Sequence, residues 1–271
     1  MKAWTLDAFD AAPGLRDDLP EPEGELIVAV KATSVNPVDM WVASGGMGAF
    51  AEHVFPVTLG RDFAGVTDAG EEVFGFIPPV WPNVHRGAWA ERIAVTEGFI
   101  APKPAALSMA EAGAAGLAGV TGLLAVEAIA PQPGERILVV GATGGVGAFV
   151  VQLCVAAGAK VIAPALEIDE AYLRGLGVED VVAREERPDA DAVIDLVAGA
   201  PYGPRFASPL PDDTGGYGVD ASSDPGAVAR LGAAIEEHGI RVPICEAFTF
   251  GQVELALEAL GEHKQGKLSV A

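Results

Sequence analysis

A cluster of glycines in the middle of the chain has the spacing of a phosphate-binding turn. The elements in order are an apolar strand at 136–140, glycines at 141, 144, 145 and 147, a helix at 148–157 and a second strand at 158–163. Gly141 allows a tight exit from the strand, Gly144 lets a phosphate approach the backbone, and Gly147 lets the helix pack closely on the sheet. The helix N-terminus offers free N–H groups to an anion. This βαβ unit therefore predicts a dinucleotide diphosphate site.

The elements around this turn predict two structural parts. Short strands separated by Pro and Gly suggest a small irregular barrel at 25–34, 58–67, 72–77 and 87–95. Ser108 and Glu111 have capping-box spacing and open a helical stretch that ends before Pro131. From residue 136, strands alternate with helices and predict a doubly wound parallel sheet. Its further elements are helices at 168–176 and 225–238 and strands at 180–183, 191–197, 216–219 and 241–244.

Composition narrows the choice of partners and location. The 271 residues carry a formal charge of −21, which repels phosphate backbones and anionic lipid. We therefore expect neither nucleic acid nor a membrane as partner, and solubility or a saline habitat as the origin of the acidic surface. Two distant cysteines and a first segment without an apolar core predict a cytoplasmic protein. The apolar stretch 112–126 is shorter than a membrane span requires.

Five further motifs occur in a consistent order around the glycine turn. They are Asn36-Pro37-Val38-Asp39, Gly60-Arg61-Asp62 with Gly65, Gly87-Ala-Trp-Ala-Glu91, Gly119-Val-Thr121-Gly-Leu and Gly266-Lys267. Together they resemble the medium-chain dehydrogenase/reductase superfamily, and within it the zinc-free quinone oxidoreductase branch, which is zeta-crystallin-like. The resemblance implies an α/β fold. A GroES-like β-rich catalytic domain would comprise residues 1–98 and 245–271, and a Rossmann domain residues 99–244.

The chain departs from two other oxidoreductase patterns. Short-chain dehydrogenases share a similar glycine turn but need a Tyr-x-x-x-Lys pair, which none of the three tyrosines forms. Zinc-containing relatives have a cysteine where this chain has Asn36-Pro37, and Gly-His-Glu where it has Gly60-Arg61-Asp62. The four histidines lack ligand spacing, so we expect no metal.

Without zinc, the resemblance implies hydride transfer to an activated C=C bond or a quinone. Charge would then develop on a conjugated oxygen, which hydrogen-bond donors can stabilise. We thus expect an NAD(P)H-dependent quinone or enone oxidoreductase with a small-molecule substrate. A second hypothesis is a protein that keeps this fold without redox activity, as a nucleotide-binding sensor or a cyclase- or lyase-like catalyst. It rests on Trp41 and Ala43, where many quinone oxidoreductases carry Tyr and Arg, and on the missing lysine for a 2′-phosphate after the second strand.

The resemblance assigns candidate catalytic residues to the first part of the chain. Asn36 would orient substrate or contact the nicotinamide ribose; the alternative is a turn residue before Pro37. Arg61 would pair with a substrate oxygen, or with a nearby carboxylate. Trp41 offers aromatic surface, as do Phe50, Phe74, Trp81 and Trp89, with core packing as the alternative for each. Trp81 lies between prolines and is the best candidate for a pocket rim.

The cofactor-binding candidates are Asn36, Thr121, Gly141, Thr143, Gly144, Gly145, Val146, Gly147, Arg184 and Lys267. Thr121 would meet the nicotinamide carboxamide, or bond its own helix backbone. The family habit implies NADP(H), but Glu167 after the second strand opposes a 2′-phosphate, so NAD(H) stays open. Arg184 would offset that charge. A strand that often builds the dimer interface is missing after Asp220, which leaves monomer or dimer undecided.

Overall fold

The computed structural model describes residues 1–24, 26–46, 54–79, 86–198, 202–210 and 217–271. The first part of the chain is mostly strand. Its elements are β1 (Ala3–Leu6), β2 (Gly14–Arg16), β3 (Ile27–Ser34), α1 (Pro37–Ala43), β4 (Val57–Thr58), β5 (Asp62–Thr67), β6 (Glu72–Phe76), β7 (Arg92–Ala94) and β8 (Ile100–Pro102). The stretch predicted as one strand at 58–67 is divided, because Gly60 adopts a positive φ of 89° between β4 and β5.

The second part alternates strands with helices. Its elements are α2 (Met109–Ala112), α3 (Gly116–Ile129), β9 (Arg136–Val140), α4 (Gly145–Ala156), β10 (Lys160–Ala165), α5 (Glu170–Leu176), β11 (Asp180–Ala183), β12 (Ala192–Asp195), β13 (Phe206–Ser208), β14 (Tyr217–Gly218) and α6 (Ala227–His238). The predicted capping box of Ser108 and Glu111 is present at α2. The six strands form a parallel sheet in the order β11-β10-β9-β12-β13-β14. In sequence terms this is 3-2-1-4-5-6, the Rossmann order.

The chain then returns to the first part through β15 (Ile244–Phe248), α7 (Val253–Leu260) and β16 (Lys267–Val270). β16 runs antiparallel to β3, with Ser269 opposite Ser34, and β15 lies parallel to β16. The prediction of a closing strand at 241–244 in the parallel sheet was wrong. Pro243 lacks an N–H for such a ladder, and the strand forms a few residues later, in the other sheet. The predicted domain boundaries stay a prediction.

Helices α3, α4, α5 and α6 cover one face of the parallel sheet. Apolar side chains of α3, α4, α5 and α6 share a core with alternate residues of the strands, such as Ile137 and Val139. On the opposite face, Leu138, Val193 and Phe206 are buried in a small separate cluster, against which Tyr202 packs. The connections 184–191 and 196–205 are too short for the long crossover helices that usually cover this face. That asymmetry was not expected from the doubly wound pattern.

The chain has 38 acidic residues and only 17 basic ones. Because salt screens the repulsion between exposed like charges, we expect the free energy of unfolding to increase when KCl is raised from 0.1 to about 2 M. Thermal unfolding followed by circular dichroism across that salt range measures the effect. The control is the same series near pH 5, closer to the isoelectric point of about 4.4, where the increase should shrink. A melting temperature that is independent of salt at neutral pH would contradict this.

Candidate active site

The glycine turn has the geometry that its sequence predicts. β9 ends at Val140, Gly141 adopts a φ of 86°, and α4 begins at Gly145 with Gly144 as its N-cap. A Cβ on Gly147 would collide with the Gly141 carbonyl oxygen, so only glycine lets the helix pack this closely. A Cβ on Gly144 would meet only that same oxygen, at 3.6 Å. The space at the Cβ position of Gly144 is therefore open, beside a helix first turn whose N–H groups are of the kind that bind anions.

The C-terminal segment lies directly against this turn. Gly266 forms a β-bridge with Gly144, and its N–H donates to the Thr143 carbonyl oxygen at 2.8 Å. The aliphatic stem of Lys267 passes over Gly145, where a Cβ would collide with Lys267 Cδ. Lys267 covers one side of the turn and leaves the space at Gly144 free. The structure thus brings Lys267 to Thr143 and Gly145, from which it is more than 120 residues distant in the sequence.

The ammonium group of Lys267 completes a buried polar cluster. Its members are Ser34, Asn36, Asp62 and Lys267, and it is called here the Asp62 cluster. Lys267 Nζ donates to Asn36 Oδ1 at 2.5 Å and to Asp62 Oδ2 at 3.2 Å. Asn36 Nδ2 donates to Asp62 Oδ2 at 2.9 Å, and Ser34 Oγ donates to the same oxygen at 2.5 Å. All four side chains are buried. The Asn36 amide therefore has protein partners on both ends, which constrains the predicted role in orienting substrate.

Arg61 lies beside this cluster but away from solvent. Its side chain is fully buried, and its Nη1 donates to the Arg86 carbonyl oxygen at 2.9 Å. Burial lowers the pKa of Arg61 to about 10, against the opposing effect of Asp39. This placement favours the alternative stated for Arg61, a structural partner of a carboxylate, over contact with a substrate oxygen.

Asp39 is the carboxylate that faces Arg61. It caps α1, because its Oδ2 accepts a hydrogen bond from the Asn36 backbone N–H at 2.7 Å. Burial raises the pKa of Asp39 to about 7, although Arg61 and the Asn36 N–H favour the charged form. The desolvation of the carboxylate therefore outweighs the attraction of its neighbours.

The other candidates divide between helix interior, surface and core. Thr121 Oγ1 donates to the Leu117 carbonyl oxygen at 2.8 Å, as its backbone alternative predicts. Trp41 is 44% exposed on α1 and offers aromatic surface. Phe74 and Trp89 are fully buried in the core, as their packing alternative predicts. Phe50 and Trp81, including the predicted pocket rim, lie outside the described residues.

At the predicted ribose end of the cleft, charged side chains of both signs follow β10 and β11. Ala165 and Ala183 are register partners, so exposed Arg184 follows β11 at the level where Leu166 and Glu167 follow β10. Val146, in the first turn of α4, is half-buried.

Sequence reasoning missed the buried Asp169 next to this region. Its Oδ1 accepts hydrogen bonds from His263 Nε2 and Gln265 Nε2, both at 2.9 Å. These bonds tie the nucleotide part to the C-terminal segment. Because the partners are more than 90 residues apart, no local pattern signals them.

Within the described ranges, the structure contains neither a cluster of metal ligands nor a membrane-spanning helix. No group of three or more His, Cys, Asp or Glu side chains there is arranged to hold a metal ion. No helix in the same ranges is both long and apolar enough to cross a bilayer.

The described residues form a Rossmann sheet with an open glycine turn. The Asp62 cluster joins this sheet to a β-rich part. Together these features define the class of two-part dinucleotide-binding proteins. Residues 22–105 match the alcohol dehydrogenase GroES-like domain family. The solved structures that align over the whole chain include the quinone oxidoreductases of Coxiella burnetii (25% identity, 98% of that chain, TM-score 0.84) and Thermus thermophilus (26%, 99%, 0.83). The latter was also solved with NADPH. The chain belongs to the medium-chain dehydrogenase/reductase superfamily and is quinone oxidoreductase-like. The predicted family and fold class are confirmed.

Curated relatives agree with this assignment over part of their length. Human mitochondrial NAD(P)H oxidoreductase RTN4IP1 is 31% identical in a 216-position alignment that covers 67% of this chain and 53% of that protein. The chain therefore spans about half the length of this relative.

Proposed function

We propose that this protein is a zinc-independent NAD(P)H-dependent reductase that transfers hydride to an activated C=C bond or a quinone of a small molecule. The observation that carries the proposal is the open space at Gly144, in front of free helix N–H groups and beside the Asp62 cluster. Family membership supports it, since relatives bear the names NAD(P)H oxidoreductase and quinone oxidoreductase.

The residues present fit a dinucleotide. The first-turn N–H groups at 145–147 would hold the diphosphate, and Gly144 would let it approach. When bound, the nicotinamide supplies the hydride. NADP(H) is the proposed cofactor, because related structures contain NADP or NADPH. Arg184 would favour a 2′-phosphate and Glu167 would oppose it, so NADH is the competing cofactor.

At the other end of the cleft, side chains of this chain would position the acceptor. Asn36 is held rigid by Asp62 and Lys267, so its amide would orient the acceptor. Exposed Trp41, one turn further along α1, would contact a flat conjugated acceptor.

Titration of the protein with NADPH and NADH, followed by nicotinamide fluorescence, tests cofactor binding. Oxidation of the bound cofactor at 340 nm against a panel of quinones, enones and an α,β-unsaturated thioester tests turnover. We expect binding of at least one cofactor below millimolar concentration and turnover with at least one acceptor class. Failure of both cofactors to bind at millimolar concentration would refute the reductase.

Binding without turnover across the panel would favour the second hypothesis, a sensor or a non-redox catalyst. The observation behind it is that Trp41 and Ala43 stand where many quinone oxidoreductases carry Tyr and Arg. For either function we propose a cytoplasmic location, from the cysteine content, and a small-molecule ligand. Gel filtration with light scattering would decide between monomer and dimer.

A further inference from the structure

The carboxylate of Asp62 connects three segments that are distant in sequence. Its Oδ2 accepts hydrogen bonds from the end of β3 and from β16, through Asn36 and Lys267. Its Oδ1 accepts the backbone N–H of Leu117 at 2.5 Å, in the first turn of α3. The side chain has no exposed surface. One buried group therefore joins the β-rich part, the C-terminal segment and the nucleotide part.

The Asp62 cluster permits only one orientation of the Asn36 amide. Its nitrogen faces the Asp62 carboxylate and its oxygen faces the Lys267 ammonium. Exchanging nitrogen and oxygen would place the amide oxygen against a carboxylate and the NH₂ group against an ammonium, and both contacts would be repulsive. The two charges thus fix which polar atom of Asn36 faces which way.

The same carboxylate seats the helix that carries Thr121. A Cβ on Gly116 would lie 3.0 Å from Asp62 Oδ1, so the first turn of α3 is in direct contact with the carboxylate. A negative charge at this end of a helix also interacts favourably with the helix dipole. Thr121 lies one turn further on and is bonded to the Leu117 carbonyl oxygen. Movement of Asp62 would therefore displace Asn36 and α3 together.

We propose that Asp62 is a positioning residue, which sets Asn36 and the first turn of α3 in one fixed relation to each other, with Lys267 as its counter-ion. The effect of Asp62 on turnover rests on the proposed function, whereas the geometric coupling of Asn36 to α3 does not.

The test compares Asp62→Asn with the double variant Asp62→Asn/Lys267→Met. In the single variant, Lys267 stays buried without its counter-charge, so we expect a lower melting temperature. The double variant removes both charges and should recover most of that loss. For both variants we expect kcat with NADPH and the best acceptor to fall at least tenfold, with a smaller change in cofactor affinity. Hydrogen exchange of the Leu117 N–H and the Asn36 side-chain amide, followed by NMR, should accelerate at least tenfold.

Asp224→Asn is the matched control. It removes the same charge from an exposed ion pair with Arg230, and both kcat and exchange should stay at the wild-type values. A double variant that regains the wild-type melting temperature together with wild-type kcat and exchange would overturn the proposal and leave Asp62 a purely structural residue. If the wild type shows no reductase activity, the proposed function fails, and the exchange measurement still decides whether Asp62 couples the two elements.

Discussion

Gly144→Val is expected to weaken NADPH binding on the order of 100-fold, a loss of about 2.7 kcal/mol, while the protein stays folded. The valine methyl groups would occupy the position where the diphosphate approaches the first-turn N–H groups. The fold should tolerate them, because Gly144 has an ordinary φ of −76° and its Cβ would meet only one atom, at 3.6 Å. Fluorescence titration measures affinity, and circular dichroism measures the melting temperature.

Two glycines elsewhere separate this effect from general effects of valine. Gly14 has open space around its Cβ position and lies in β2, so Gly14→Val should leave nucleotide affinity unchanged. Gly147→Val should destabilise the fold itself, because its Cβ would collide with the Gly141 carbonyl oxygen. Unchanged affinity in folded Gly144→Val would place the diphosphate elsewhere.

Asp39→Asn is expected to change how stability depends on pH. Burial raises the pKa of Asp39 to about 7 in the folded protein, from an ordinary value of 3.8. Between these values the folded state holds a proton that the unfolded state releases, so wild-type stability falls as pH rises from about 4 to about 7. Asparagine carries no titrating proton and keeps an oxygen for the Asn36 N–H. The stability of the variant relative to wild type should therefore rise across this window, by about 4 kcal/mol at most.

Urea unfolding at half-unit intervals from pH 4 to pH 9 measures this difference. Asp224→Asn is a control of opposite sign, because the ion pair with Arg230 lowers the pKa of Asp224. That variant should lose stability relative to wild type as pH rises through the acid range. A difference between Asp39→Asn and wild type that stays flat from pH 4 to pH 8 would show that Asp39 is ionised throughout.

Local signals in the sequence were sufficient to predict the nucleotide-binding turn. Gly141 and Gly147 can be assigned from spacing alone, because each is required by backbone geometry or by packing within a few residues of the chain. The capping box at Ser108 is local for the same reason. The motifs that follow one another from Asn36 to Lys267 were sufficient to predict the family and the fold class.

The partners of the candidate site residues were decided by the tertiary structure. Asp62 and Lys267 are 205 residues apart and meet only because β16 returns to pair with β3. Sequence spacing therefore cannot show that the Asn36 amide is engaged on both ends, or that Arg61 is buried.

The chain by itself thus determined that a dinucleotide turn and a β-rich part exist, since periodicity and turn chemistry are short-range properties. Which charges pair between the β-rich part and the C-terminal segment, and which sheet face carries the helices, depended on strand order and connection length. Those are properties of the assembled chain, because burial and charge pairing act between residues brought together only by folding.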